Sequence, residues 1–122
     1  RRNINNQIEA MLKCAKKSIL ISTSKLGLKR KMDLFGTLFE KLDKNGVNIK
    51  ITSPKSEDYN GSIELKSFDN FDARFVLVDG KELLFMLNGD ESPEGADVGV
   101  WINSSYFVNA MSSMFDAAWK QK

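Results

Sequence analysis

DARFVLVDGKELLFML, residues 72–87, is the stretch on which the fold turns. Just ahead of it and through its first half, Phe71, Ala73, Phe75 and Leu77 alternate with Asp72, Arg74, Val76 and Val78, the two-residue period of a β-strand. Asp79-Gly80 follows, a dipeptide suited to a tight hairpin whose central residues need positive φ. The stretch therefore predicts a strand from Phe71 to Val78 that turns back, antiparallel, into a strand from Glu82 to Leu87.

Upstream, the pattern changes period. Ile4, Ile8, Met11, Leu12 and Ala15 recur at helical spacing, with Lys13, Lys16 and Lys17 toward the end where cations suit the helix dipole. This amphipathic helix runs into Ser18-Ile19-Leu20-Ile21-Ser22-Thr23, a β-branched run suited to a strand buried on both faces. Leu34, Phe35, Leu38, Phe39 and Leu42 repeat one face of a second helix, expected over 29–44, which Asn45-Gly46 stops. Val47 to Thr52 alternates as a strand, Ser53-Pro54 ends it, and 55–62 forms a polar loop. A strand, helix, strand succession of this kind predicts a parallel crossover. Ile63 and Leu65, alternating with Glu64 and Lys66, predict a further strand.

Downstream, 88–97 is an acidic loop, Val98 to Ile102 a short strand, and Asn103-Ser104-Ser105 a source of caps for a closing helix. Phe107, Ala110, Met111, Met114, Phe115 and Ala118 stand at core spacing along that helix. The expected fold is α/β: one mixed sheet flanked by helices, in a single domain spanning 1–122.

Composition narrows the function. The 18 basic and 16 acidic residues leave a formal charge of +2, far from the balance of an autonomous nucleic-acid binder, so direct DNA contact would need a local patch. The longest uninterrupted apolar run, Leu83 to Leu87, is too short for a membrane span, and a soluble, cytoplasmic protein is expected. One cysteine, Cys14, excludes an internal disulfide and a cysteine-based metal cluster; it is expected to be a half-buried helix residue. No cofactor or metal is expected. The chain opens at Arg1 with a helical pattern at once, which suggests a fragment of a longer protein.

Several polar residues are candidates for a site. Ser22, Ser24 and Ser53 stand at or just beyond the carboxyl ends of two strands, the edge where α/β sheets build sites, although caps and turns use serine too. Asp72 and Arg74, two apart on a strand, share one face. They either pair with each other or with neighbours such as Lys81 and Glu82, or they line a polar cleft in which Arg74 holds an anion and Asp72 accepts hydrogen bonds. Glu82 and Asn103 complete the candidate ligand set. Asp79 is accounted for by its turn. Lys25, Lys29, Arg30 and Lys31 form a basic cluster ahead of or at the start of the second helix, expected to be a solvated loop, with contact to phosphate, DNA or an acidic partner as the alternative. Trp101, Tyr106 and Trp119 offer either a stacking surface for a sugar or aromatic packing in a core or dimer.

In order and spacing, "SILISTS", "NGVNIKITSP", "DARFVLVDGKELLFML" and "GVWINSSYFVNAMSSMFDAAW" resemble one half of a phospholipase D-like domain. Within that superfamily the chain most resembles the effector domain of archaeal TrmB-type transcription regulators. The superfamily motif is histidine, any residue, lysine, four residues, aspartate, then a glycine-serine-x-asparagine turn. Here Asp72, Arg74 and Asp79 stand at the three motif positions, Met86, Leu87 and Asn88 occupy the later turn, and no histidine exists anywhere in the chain. A histidine nitrogen is what attacks phosphorus in that chemistry. The resemblance thus implies a retained scaffold without catalysis: a homodimerising regulatory domain, following an upstream winged-helix domain that carries the DNA contact, and sensing a small sugar or phosphate-type effector. A divergent phosphodiesterase using Asp72, or a pairing module without a ligand, are the alternatives.

Overall fold

A computed structural model describes residues 2–53, 64–66, 74–86 and 98–120. The chain forms α1 (Arg2–Lys13), β1 (Ser18–Ser22), α2 (Lys25–Lys44), β2 (Asn48–Thr52), β3 (Glu64–Lys66), β4 (Phe75–Val78), β5 (Glu82–Met86), β6 (Gly99–Ile102) and α3 (Ser105–Lys120). The strands make one six-stranded sheet in the order β3-β2-β1-β4-β5-β6. β1, β2 and β3 run parallel, while β4, β5 and β6 alternate antiparallel from β1 outward. The mixed sheet expected from the change of period is therefore present, with the parallel crossover carried by α2.

Strand alternation divides the core into two layers. Ile19, Ile21, Ile49, Ile51, Val76, Val78, Leu84 and Met86 face α1 and α2, joined by Ile8, Met11, Leu12, Phe35, Phe39 and Leu42. Leu20, Phe75, Leu77 and Leu83 face α3, whose Val108, Met111, Phe115 and Trp119 cover them. Phe75 meets Phe115 edge-to-face with ring centroids 6.1 Å apart, and Phe115 stacks on Trp119 at 5.6 Å. Both arrangements are geometries that aromatic quadrupoles favour.

The hairpin is built on Asp79 and Gly80, with φ of 57° and 65°. Lys81 N–H bonds the Val78 carbonyl at 3.0 Å, and Val78 stands opposite Glu82, so the connection holds three residues rather than two. Aspartate tolerates the left-handed region, and its side chain is put to further use. The Asp79 carboxylate accepts the backbone N–H groups of Lys16, Lys17 and Ser18, at 3.0, 2.7 and 3.0 Å. It thereby ties the hairpin to the α1–β1 turn.

Several expectations are corrected. α2 begins at Lys25, four residues before the position its apolar pattern indicates, because Ser24 caps it: the Gly27 N–H donates to Ser24 Oγ at 3.0 Å. The basic cluster is thus helical, and Lys31, expected in solvent, is buried at 7% exposure. Leu34, Phe107, Ala110 and Met114, assigned to core faces, are exposed, since each lies on the flank of its helix rather than against the sheet. Val108 takes the core position in their place. Cys14 lies past the end of α1 and is exposed.

Candidate functional site

The α1/α2 face of the sheet carries one apolar row per pair of residues until its last row, which is polar at three of its four positions. Ile51, Ile21, Val76 and Leu84 lie in register across β2, β1, β4 and β5. Two residues further on, the same alternation brings Ser53, Thr23, Arg74 and Met86 into line. Two backbone hydrogen bonds hold that extension: Thr23 N–H to the Thr52 carbonyl at 3.0 Å and Met86 N–H to the Arg74 carbonyl at 2.9 Å. Three polar side chains from three strands therefore meet where the strands of a parallel pair end, the edge at which open α/β sheets place ligands.

The amino end of α2 lies over this row. Ser24 follows Thr23 directly and caps the helix. A Cβ added to Gly27 would collide with Thr23 Oγ1, so glycine here permits the first turn of α2 to pack directly on the threonine hydroxyl. Lys31 stands one turn, ~5.4 Å, beyond Gly27 on the same flank, and helical side chains lean toward the amino end. Thr23 is 3% exposed and Ser53 1%, whereas Ser24 and Arg74 are half-buried, which makes the latter two the outer wall. Among the described residues Thr23 Oγ1 has no hydrogen-bond partner.

The predicted site residues divide into two groups. Ser24, Ser53 and Arg74 come together at this edge. Glu82 lies at the far end of the sheet, opposite Val78, where its carboxylate accepts Trp101 Nε1–H at 3.0 Å. Asn103 follows Ile102, which pairs with Leu83, and so lies at that far end as well. The register sets Met86, not Glu82 or Lys81, opposite Arg74. Asp72 falls outside the described residues. Thr23 and Gly27 were missed: Thr23 reads as the last residue of an apolar strand, and its significance appears only once register sets it beside Arg74.

Asp79 belongs to the far end too. Burial pushes its carboxyl pKa up, but the N–H groups of Ser18, Lys17 and Lys16 and the nearby Lys81 charge outweigh that and hold it below the ordinary carboxylate value. Of the three aromatic candidates, Trp119 is buried against Phe115, with Lys50 Nζ 5.4 Å from its ring centroid, while Trp101 and Tyr106 are exposed. A groove of about 660 Å³ lies between the α1–β1 turn and the carboxyl end of α2, with an apolar floor of Ala15, Leu38, Leu42 and Val47 and a rim that includes Lys13, Lys16 and Lys41. Glu9 pairs with Lys13 at 3.2 Å, which offsets part of that rim's charge. Among the described residues, no group of three or more His, Cys, Asp or Glu side chains is placed to hold a metal ion, and no helix is long and apolar enough to cross a membrane.

No protein-family model and no curated protein matches the chain. Solved structures do. TrmBL2, an archaeal chromatin protein whose structure shows a novel mode of DNA binding, superposes with a TM-score of 0.74 at 21% identity, covering 98% of this chain and 49% of its own. NucT from Helicobacter pylori gives 0.72 at 11% identity over 98% of this chain and 89% of its own. Nuc from Salmonella typhimurium, a phospholipase D family member, gives 0.67 at 17% identity over 96% and 87%. This chain thus spans about half the length of TrmBL2 and nearly all of the other two. All three share the fold of this chain.

Proposed function

From this shared phospholipase D-like fold, we propose that the chain is a non-hydrolytic regulatory half-domain of a longer, DNA-associated protein. It pairs with a second copy and binds a small sugar or phosphate-type effector at the polar row. The observation that carries this reading is the combination of that fold with a sequence containing no histidine. The superfamily's covalent chemistry needs an imidazole nitrogen to attack phosphorus and a second to protonate the leaving group. Asp72, at the motif's first position, would bring a negative charge toward an anionic phosphodiester and is a poorer nucleophile. Asp79, at the motif's last position, has structural work that needs no catalysis, because it accepts three backbone N–H groups.

The likeness to TrmBL2 over half of that chain's length supports a role as one part of a DNA-binding protein. With a formal charge of +2, the domain is suited to regulating DNA contact made elsewhere rather than making it. Pairing is supported by the exposed apolar residues on two consecutive elements: Val100 and Trp101 on β6, and Tyr106, Phe107 and Met114 on α3. An effector that prefers one arrangement of the pair shifts the spacing of attached domains by its differential affinity for the two arrangements.

The test combines two measurements. Light scattering at tens of micromolar is expected to give the mass of a dimer, and a phosphodiester substrate is expected to show no turnover above buffer. A monomeric mass overturns the pairing role. Turnover that disappears in Asp72→Asn overturns the non-hydrolytic one.

A further inference from the structure

The groove between the α1–β1 turn and the carboxyl end of α2 is bordered by more positive charge than the two helix ends require. Lys13 and Lys41 lie in the last turns of α1 and α2, where a cation suits the helix dipole. The terminal carbonyls are nonetheless already supplied with donors: Met11 and Leu12 accept the N–H groups of Cys14 and Ala15, and Lys41, Leu42 and Asp43 accept those of Asn45, Val47 and Gly46. Lys13 pairs with Glu9, but the exposed ammonium groups of Lys16 and Lys41 have no ion-pair or hydrogen-bond partner among the described residues. The groove lining contains no carboxylate, and the carboxylate of Asp79 is turned to the backbone N–H groups of Lys16, Lys17 and Ser18. One uncompensated cation therefore stands on each wall.

The floor narrows the choice of occupant. Leu38, Lys41, Leu42 and Asn45 follow at spacings of three and four residues, which sets them in one stripe along the end of α2, about 10 Å long. Ala15, Leu42 and Val47 are already buried, so Leu38, half-buried, is the floor residue that gains from cover. A floor so closed offers little to a long alkyl chain, and a nucleic-acid backbone has nothing apolar to place on Leu38. Separated cations around a single apolar contact suit a short stretch of polypeptide that carries carboxylates to either side of an apolar side chain.

We infer that this groove docks an acidic segment of a partner protein, with Lys16 and Lys41 receiving its carboxylates and Leu38 one of its apolar side chains. The groove adjoins the starts of β1 and β2, whereas the polar row follows their ends, and it lies on the α1/α2 side of the sheet rather than the α3 side. Docking thus competes with neither the effector nor the pairing surface and is independent of both. Its contacts are exposed ion pairs, so the complex is weak and salt-sensitive.

The test is titration of the chain with four probes while amide resonances are followed: a synthetic peptide of glutamate and leucine, its glutamine and leucine counterpart, a peptide of residues 88–97 of this chain, and a DNA duplex. Residues 88–97 carry Asp90, Glu91, Glu94 and Asp97 but no large apolar side chain, which makes them a control for charge alone. The glutamate peptide is expected to bind at low ionic strength, with the largest shifts at residues 13–16 and 38–45, and to be released by salt. The Lys16→Glu, Lys41→Glu variant is expected to bind it roughly tenfold more weakly. The same change of charge at Lys29 and Lys120, exposed and outside the groove, should alter binding by less than about twofold. A lysine and leucine peptide is expected to bind the charge-reversed variant and not the parent, an exchange that a purely structural role of the lysines would not produce.

Equal binding of the glutamine peptide overturns recognition by charge, and glutamate-peptide binding that the groove variant leaves unchanged overturns the location. Tighter binding of the 88–97 peptide makes the occupant a second copy of this chain and overturns the partner. Shifts of the groove amides by DNA but not by the glutamate peptide overturn it in favour of nucleic acid. No binding by any probe overturns the inference.

Discussion

The Asp79 carboxylate takes the backbone N–H of Lys17 at 2.7 Å, although 62 positions separate the two residues. Flanking bonds from Lys16 and Ser18 make the contact a clamp between the hairpin and the entry to β1. Because these donors favour the ionised form, the folded-state pKa lies below the unfolded one. The stabilisation is therefore full above the unfolded value of about 4 and is lost as pH falls through the folded value. Asp79→Asn keeps the turn but not the charge, and is expected to cost about 1 kcal/mol at pH 7, the modest end for charge-assisted bonds at a partly exposed site. Urea denaturation at pH 7, 5 and 3 checks it. The difference between the two proteins should narrow at pH 3, and a constant difference would exclude the clamp.

Gly27→Ala is expected to destabilise the chain by about 1–3 kcal/mol, because the added methyl meets Thr23 Oγ1 and the helix must shift. If the clash is with that hydroxyl, Thr23→Ala should recover much of the loss in the double variant. A double-mutant cycle measures this directly. Additive effects would show that glycine is needed for another reason.

Ser24→Ala removes the acceptor for the Gly27 N–H and is expected to cost about 1 kcal/mol, whereas Ser24→Asp keeps an acceptor and favours the helix dipole. Thermal denaturation of the two variants should therefore separate them in that order. Equal losses would mean that the α2 boundary is set by packing rather than by its cap.

The hairpin, the parallel crossover and the closing helix were legible because each is written in a period. The two-residue alternation of Phe75 and Leu77 and the helical spacing of Phe35, Phe39 and Leu42 survive any tertiary arrangement. What periodicity does not encode is which flank of a helix is covered. Phe107 and Met114 fall within a hydrophobic arc, yet the face that the sheet covers is set by Val108, Met111, Phe115 and Trp119. The start of α2 was hidden for a related reason: its first turn is basic, against the dipole rule, and the cap at Ser24 outweighs that cost. Ser24 and Ser53 were found from strand ends, a local signal, and Arg74 from its two-residue spacing to Asp72 on a strand and its place in the motif. Thr23 and Gly27 were not, because their meeting depends on register among three strands and a helix.

That misplaced flank of α3 leads to the last prediction. Phe107 at 43% and Met114 at 55% exposure lie seven residues apart, two helical turns, so they share one side of α3. Tyr106, 90% exposed, and the β6 residues Val100 and Trp101 add to the apolar surface of the same chain segment. A monomer gains little from these side chains, so Phe107→Glu and Met114→Glu should change the stability of the fold by within about 0.5 kcal/mol. Phe115→Ala, one residue beyond Met114 but fully buried, should cost about 3–5 kcal/mol. In a paired state the two charged substitutions would bury unpartnered carboxylates at the contact, which is strongly unfavourable. Light scattering is therefore expected to show the Phe107→Glu, Met114→Glu double variant as a folded monomer at concentrations where the parent chain is expected to give the mass of a dimer. A double variant that remains dimeric would place the contact elsewhere on the molecule.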